Sequence, residues 1–178
     1  MTLETERLVL RRWKEADLEP FFKLNADPKV MEYFPKLLSR EESAQMIGRM
    51  EAHFEERGFG LWATELKETQ DCIGFIGMQV PRFETVFTPC VEIGWRLAFE
   101  QWGRGLAVEG AKRVLDQAFG TLQLKEVISM TSRVNLRSQR VMQKLGMEYV
   151  PEYDFEHPQI EVGSVIRPHV TYRIGSLS

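Results

Sequence analysis

Residues 91–119, which read VEIGWRLAFEQWGRGLAVEGAKRVLDQAF, combine two hydrophobic periods with a glycine-containing turn between them. The first part alternates apolar and polar side chains, as is typical of a strand, and its apolar set is Val91, Ile93, Trp95 and Leu97. The last part repeats apolar residues at helical spacing, namely Ala107, Ala111, Val114, Leu115 and Ala118. The order predicts a strand that runs through a short turn into an amphipathic helix.

The turn itself, residues 102–107, has the composition of a phosphate-binding turn. Gly103 and Gly105 permit a positive φ or a close approach of the backbone to a ligand. Several free N–H groups lie at the positive end of the helix, with Arg104 beside them and no carboxylate between Trp102 and Val108. Glycines also occur in such turns for steric reasons alone, so spacing leaves ligand binding and a purely structural turn both open.

Two other nucleotide-binding motifs fit this turn poorly. Val108 occupies the place of the third glycine of G-x-G-x-x-G, and no Lys-Ser/Thr pair follows as it does in a P-loop. ATP and NAD are therefore disfavoured ligands.

The turn resembles the acyl-CoA motif of the GNAT superfamily of N-acetyltransferases, Gln/Arg-x-x-Gly-x-Gly/Ala. Gly105 and Ala107 match its last two fixed positions, and Trp102 stands where Gln or Arg is usual. Residues 135–138, Asn-Leu-Arg-Ser, resemble the family's second marker, an N-x-x-S helix that here ends at Gly146. The combination resembles the branch that contains ribosomal-protein N-terminal (alanine/serine) acetyltransferases.

The resemblance implies acetyl-CoA as cosubstrate and a set of residues that bind it. That set is Leu97, Trp102, Gly103, Arg104, Gly105, Leu106, Ala107, Asn135 and Ser138. It also implies two catalytic residues: Glu92 as the base near the acceptor amine, and Ser138 near the thioester sulfur. Capping of the helix start by Asn135 and an ion-paired Glu92 are the structural alternatives.

The remaining titratable residues bear on two questions, namely which group is the base and whether a cysteine carries the acetyl group. Glu156 and His157 are rival candidates for the base, because the family's sixth strand can reach the same pocket. Cys72 and Cys90 are both expected in strands and have no adjacent His, which favours direct transfer in a ternary complex over a covalent acyl-enzyme. The three histidines are scattered, so no metal site is predicted.

Size and composition predict one domain over residues 1–178. A hydrophobic fraction of 43% supports a substantial core, and no Pro/Gly/Ser-rich linker or repeat divides the chain. The net charge of −3 gives no global attraction to nucleic acid, so phosphate binding needs a local cation cluster, for which Arg133, Arg137, Arg140 and Lys144 are candidates. Without a signal peptide, a transmembrane stretch or a disulfide pattern, we expect a cytoplasmic protein, a monomer or a homodimer.

The hydrophobic periods predict four helices besides the central one. One follows Asp17 as N-cap, a short one starts at Asp27-Pro28, and a third is capped by a box at Ser39 and stops at Gly58. The fourth follows the central helix and is capped by Ser132.

Strands are predicted around these helices, at 7–13, 59–66, 72–80, 91–97, 125–131, 148–155 and 165–174. The fold class is α+β, a GNAT-like mixed and mostly antiparallel twisted sheet of about seven strands with helices on both faces. The loops at 35–39, 81–89 and 156–165 are expected to form the acceptor pocket.

The predicted activity is acetyl transfer to a primary amine, with a protein or peptide N-terminus preferred and a ribosomal protein as one candidate. An α-amine with a pKa of about 8 is roughly 10–20% neutral at pH 7, whereas a lysine amine is about 0.04% neutral. The absence of an unmistakable strong base therefore favours the α-amine. A small-molecule amine and a catalytically silent acyl-CoA-binding sensor are the alternatives.

Overall fold

The computed structural model describes residues 2–176; Met1, Leu177 and Ser178 of the predicted domain lie outside the described residues. The helices are α1 Leu18–Asn25, α2 Arg40–Arg57, α3 Leu106–Asp116 and α4 Leu136–Lys144. The strands are β1 Leu3–Glu4, β2 Leu8–Arg11, β3 Leu61–Leu66, β4 Cys72–Gln79, β5 Glu92–Leu97, β6 Glu126–Ser132, β7 Glu148–Tyr149, β8 Phe155–Glu156 and β9 Pro168–Gly175.

These strands form one sheet in the order β1-β2-β3-β4-β5-β6-β9-β7, with β8 also paired to β9. All neighbours are antiparallel except β5 and β6, which run parallel. The predicted α+β class with a mixed, mostly antiparallel sheet is confirmed. The described residues contain nine strands instead of about seven, because β1 is additional and the predicted strand 148–155 is divided into β7 and β8.

The parallel pair opens into a gap soon after it starts. A single residue pair, Glu92 with Ile128, lies in register between β5 and β6 in the described sheet. One residue further along, the Ser129 hydroxyl rather than a backbone amide donates to the Ile93 carbonyl oxygen at 3.0 Å. Beyond this point the two strands border a cavity from opposite sides.

Helices cover both faces of the sheet, as predicted. On one face α3 packs through Leu106, Ala111 and Val114 in a core that also contains Ile76 and Ile93. On the other face α1 and α2 pack on Phe75 through a second core that includes Phe21, Leu24 and Met50. Because side chains alternate along a strand, β5 sends Ile93 and Leu97 to the α3 core and leaves Glu92, Gly94 and Arg96 for the other face.

Several local predictions are confirmed. Ser39 and Glu42 form a capping box at the start of α2, and Gly58 ends the helix with φ 76°. Within strand β4 the backbone also approaches a neighbouring strand closely at Gly74, because a Cβ there would lie 2.0 Å from the Arg96 carbonyl oxygen.

Three predictions about helix starts are wrong. The segment after Asp27-Pro28 forms hydrogen-bonded turns instead of a helix. Asp17 precedes α1 but does not cap it, because its carboxylate accepts from Arg11 Nη1 at 2.7 Å and from the Lys14 amide at 2.7 Å. The cap of α4 is Asn135 and not Ser132, whose buried hydroxyl has no partner.

The C-terminal segment and Cys90 also differ from expectation. The predicted strand 148–155 is interrupted by a 3₁₀ turn at Pro151–Tyr153, because proline cannot donate to a strand ladder and the chain must bend from β7 to β8. The last strand starts at Pro168, later than predicted. Cys90 lies just before β5 and not in a strand.

Candidate active site

A cavity of about 920 Å³ crosses the molecule where β5 and β6 diverge. All but one of the predicted site residues line it, namely Glu92, Leu97, Trp102, Gly103, Gly105, Leu106, Ala107, Asn135 and Ser138. The exception is Arg104. Each of the three loops predicted for the acceptor pocket also contributes lining residues, among them Pro35, Phe83 and Ile160.

The glycine turn supplies a helix N-terminus with open amides. Gly103 and Gly105 have φ of 75° and 80°, a conformation that L-residues with a side chain rarely adopt. Gly105 is the N-cap of α3 and no side chain caps the helix, so the first-turn N–H groups of Leu106, Ala107 and Val108 have no intrahelical partner. This arrangement suits the diphosphate of a coenzyme A group.

Trp102 and Arg104 have structural partners. The Trp102 indole donates to the Leu97 carbonyl oxygen at 2.8 Å, which ties the turn to the end of β5. Arg104 Nη1 donates to Gln101 Oε1 at 2.5 Å, and its Nη2 lies 3.8 Å from Glu68. The Arg104 side chain is directed to these partners and does not line the cavity.

Three of the four candidate cations line the cavity. Arg137, Arg140 and Lys144 line the cavity from α4. Arg133 does not, since it is 3.0 Å from Asp154. Arg137 also pairs with Glu32 and stacks 4.8 Å from the Trp102 ring, so it bridges α4 to the segment after α1.

Asn135 and Ser138 of the second marker have different roles in the structure. Asn135 is the N-cap of α4, and Ser138 lines the cavity. Asn135 Oδ1 accepts from the Ser138 amide at 3.2 Å, and its Nδ2 donates to Thr131 Oγ1 at 3.0 Å. Within residues 2–176 the Ser138 hydroxyl has no hydrogen-bond partner and faces the cavity. The buried Ser132 hydroxyl is likewise unpartnered beside it, so two donors are available to a ligand in the gap.

Glu92 lies at the start of β5 with its carboxylate enclosed by protein except towards the cavity. Burial raises the pKa of Glu92 to about 7, and a hydrogen bond from Gln79 Nε2 at 3.1 Å opposes part of that rise. A carboxylate with this pKa is close to half ionised at neutral pH, which suits removal of a proton from an amine.

The rival bases are less well placed. Glu156 lies outside the cavity, with its side chain 60% exposed and 3.2 Å from Arg167. His157 lines the cavity, but burial lowers its pKa to about 4, helped by the positive charges of His169 and Arg167. An imidazole with so low a pKa binds a proton weakly.

The two cysteines are poor nucleophiles in this environment. Burial raises the pKa of Cys72 and that of Cys90 to about 12. At neutral pH both side chains are therefore thiols, and the thiolate is the reactive form.

Sequence reasoning missed many residues of the cavity wall, among them the polar residues Gln79, Arg96 and His169. For Arg96 a signal was present, because the alternation of β5 places it on the same face as Glu92. Gln79 carried no such signal, since its pairing with Glu92 depends on the register of β4 against β5. His169 comes to the site only because β9 lies beside β6.

Neither a metal-binding cluster nor a membrane-spanning helix is present in residues 2–176. No group of three or more His, Cys, Asp or Glu side chains is arranged to hold a metal ion. No helix is both long and apolar enough to span a membrane.

Comparison with known proteins gives the same family as the fold and the site. The family described as "Acetyltransferase (GNAT) domain" matches residues 7–148. The FsC-acetyl coenzyme A-N(2)-transacetylase of Aspergillus fumigatus is 33% identical over 174 residues, which cover 92% of this chain and 74% of that protein.

Solved structures share the whole architecture. An acetyltransferase from Agrobacterium tumefaciens has a TM-score of 0.77 and 29% identity, with 98% of this chain and 94% of that chain covered. RimJ of Mycobacterium smegmatis, solved with CoA-disulfide, has a TM-score of 0.79 at 16% identity, covering 99% and 88%, and supports the fold alone. The chain therefore belongs to the GNAT family of N-acetyltransferases.

Proposed function

We propose that this protein transfers the acetyl group of acetyl-CoA to a primary amine by direct attack in a ternary complex. The observation that carries the proposal is the gap between β5 and β6, which leads from the open amides of α3 to the Glu92 carboxylate. A coenzyme whose diphosphate binds at Gly103–Ala107 would extend its thioester arm along this gap, between Leu97 on one side and Ser132 on the other.

Each catalytic role is assigned to one side chain. The cosubstrate supplies an already activated acyl group, so the protein needs to position a neutral amine and to handle protons. Glu92 accepts the proton of the attacking amine, directly or through a water. Ser138, with its free hydroxyl on the cavity side, donates a hydrogen bond to the departing sulfur. Neither cysteine takes part.

The acceptor that we propose first is a protein or peptide N-terminal amine, with a ribosomal protein as one candidate. A base with a pKa of about 7 matches an α-amine, whose pKa of about 8 requires little assistance at neutral pH. A small-molecule amine is the second candidate. The enclosure of Glu92 and the 33%-identical relative named as an N(2)-transacetylase favour it. The free state of both cysteines fits a cytoplasmic reaction.

The test is release of free CoA from acetyl-CoA in the presence of three sets of amines. These are peptides with free N-termini, the same peptides with blocked N-termini and an internal lysine, and small primary amines. We expect turnover with at least one set, and a new acetyl group on the amine by mass spectrometry. Glu92→Gln should bind acetyl-CoA normally and turn over about 10²-fold more slowly or worse.

The competing hypothesis is a catalytically silent acyl-CoA sensor. Tight acetyl-CoA binding without turnover against all three sets would favour it. Unchanged turnover after replacement of both Glu92 and Ser138 by alanine would overturn the mechanism while leaving the enzymatic activity in place.

A further inference from the structure

The polar face of β5 forms the floor of the cavity on the side of α1 and α2. Glu92, Gly94 and Arg96 follow one another on this face, because every second residue of a strand points the same way. A Cβ at Gly94 would meet no atom within 4 Å, so the floor is open between the two charged residues. A ligand therefore has room to lie across Gly94 with Glu92 on one side and Arg96 on the other.

Arg96 is held in a fixed orientation at one end of this floor. It is 8% exposed, and its Nη1 donates to Asn25 Oδ1 at 2.8 Å. The guanidinium stacks on two aromatic rings, 4.0 Å from the Phe34 centroid and 5.4 Å from the Phe75 centroid. These contacts fix the plane of the guanidinium and satisfy only a part of its donors.

The charge of Arg96 has no counter-ion. Among residues 2–176 it makes no ion pair, although the chain contains many surface pairs, and its buried Nε has no hydrogen-bond partner. A buried charge is normally paired, because removal of a cation from water is unfavourable unless an anion or several hydrogen bonds replace the water. Burial accordingly lowers the pKa of Arg96 to about 10.

The diphosphate of the coenzyme is not the missing anion. The open amides of α3 lie with the core on the opposite face of the sheet, where Leu106 packs with Ile93 and Leu97. Arg96 instead contacts Phe75 and Met46, which belong to the core under α1 and α2. The anion must therefore arrive with the molecule that enters from the α1–α2 side.

We infer that the acceptor amine carries a carboxylate, and that Arg96 anchors this carboxylate while the amine lies over Gly94 near Glu92. The inference deepens the proposed function and rests on it. A planar guanidinium with free donors matches a carboxylate in a two-point hydrogen bond, which fixes both position and orientation. The carboxylate comes either from an acidic side chain near a peptide N-terminus or from a small amino acid, and the experiment separates these sources.

The experiment compares each acidic acceptor with its uncharged amide. One arm uses peptides with Asp or Glu at the second or third position and the matching Asn or Gln peptides. The other arm uses ω-amino acids of increasing length and their amides. We expect kcat/KM for the acid to exceed that for the amide by about 10- to 100-fold in one arm, at the length that spans the floor. The arm that shows this ratio identifies the source.

Variants then assign the preference to Arg96. Arg96→Met keeps the packing between the two rings and should reduce the acid-to-amide ratio to about 1, mainly through KM. Arg96→Lys keeps the charge without the planar fork and should retain part of the ratio. Arg49→Met is the matched control, because Arg49 also lines the cavity but is exposed, and it should leave the ratio within about twofold.

A binding measurement gives a readout that is independent of turnover. With CoA present, the preferred acid should raise the melting temperature of the wild-type protein and not that of Arg96→Met. Equal kcat/KM for acids and amides in both arms of the wild-type experiment would overturn the inference without touching the proposed function. Faster turnover of amines bearing a phosphate than of those bearing a carboxylate would also overturn it, whereas absence of all turnover would count against the proposed function itself.

Discussion

Ser129 donates a hydrogen bond from Oγ to the Ile93 carbonyl oxygen at 3.0 Å, in the place where the next backbone bond between β5 and β6 would otherwise form. The bond lies one residue beyond the single in-register pair, Glu92 with Ile128. It therefore marks the point at which the strands separate and the gap begins into which we propose that the coenzyme arm extends.

Replacement of Ser129 by alanine should destabilise the protein and widen the base of the gap. Loss of a buried hydrogen bond that leaves the Ile93 carbonyl unpaired is expected to lower the free energy of unfolding by about 1–2 kcal/mol and to raise KM for acetyl-CoA. Denaturant unfolding and steady-state kinetics measure the two effects. Ser132→Ala is the control for stability, because that buried hydroxyl has no protein partner to lose. Equal stability of the two variants would contradict the structural role of Ser129.

Glu92 predicts a specific pH dependence of activity. As a base it must be ionised, so kcat/KM should rise with pH through about 7, the pKa to which burial raises this carboxyl. Gln79→Leu removes the donor that opposes this rise, and the inflection should move to higher pH. If the residual activity of Glu92→Gln shows the same inflection, the inflection belongs to another group and not to Glu92. His157 is not that group if the midpoint stays well above 4.

The raised pKa of Glu92 also predicts how the free energy of unfolding varies with pH. The folded-state pKa of Glu92 is raised above its unfolded value of 4.5, so the folded protein holds this proton more tightly than the unfolded chain. The stabilisation of the folded state by this proton is fully present below pH 4.5 and is lost as the pH rises towards about 7. Glu92→Gln should therefore gain stability relative to the wild type between these pH values. A difference in unfolding free energy that does not vary with pH would contradict the buried environment.

Replacement of Asn135 is expected to lower mainly the stability, and replacement of Ser138 to lower mainly kcat. Asn135→Ala removes the cap of α4 and should lower the free energy of unfolding by about 1 kcal/mol, as well as weakening acetyl-CoA binding. Ser138→Ala removes a hydroxyl without a protein partner, so stability should change by less than about 0.5 kcal/mol while kcat falls. Asn135→Asp keeps the capping oxygen and should restore most of the stability. If Ser138→Ala is the more destabilising change, the assignment is reversed.

The cysteines should be dispensable. Because the pKa of each thiol is raised to about 12, neither is expected to carry an acetyl group. The double variant Cys72→Ser, Cys90→Ser should retain kcat within a few fold, and intact mass spectrometry of the wild type with acetyl-CoA alone should show no added acetyl group. An acetylated cysteine that disappears when the amine is added would replace direct transfer by a two-step mechanism.

The elements that the sequence predicts well are those with a strong local cause. The capping box at Ser39 and the left-handed stop at Gly58 need only their own neighbours, and both are present. The helix expected after Asp27-Pro28 does not form. The residues that follow the proline instead line the cavity, where Phe34 stacks on Arg96. The Asp17 cap fails for a similar reason, since Arg11 takes its carboxylate into a buried ion pair.

The sequence alone determined the order of strand, glycine turn and helix in residues 91–119 and the α+β class, because period and spacing are local properties. Its resemblance to the GNAT superfamily added the candidate residues Glu92, Asn135 and Ser138. Only the tertiary structure decided which of those residues share a cavity, that the Arg104 side chain does not line it, and that Glu92 lines the cavity with a raised pKa while Glu156 lies outside it and His157 has a lowered pKa. It also revealed Arg96 as a buried charge without a counter-ion among residues 2–176. These outcomes depend on burial and on distances between segments far apart in the chain, and the free energy of a charge depends on what surrounds it.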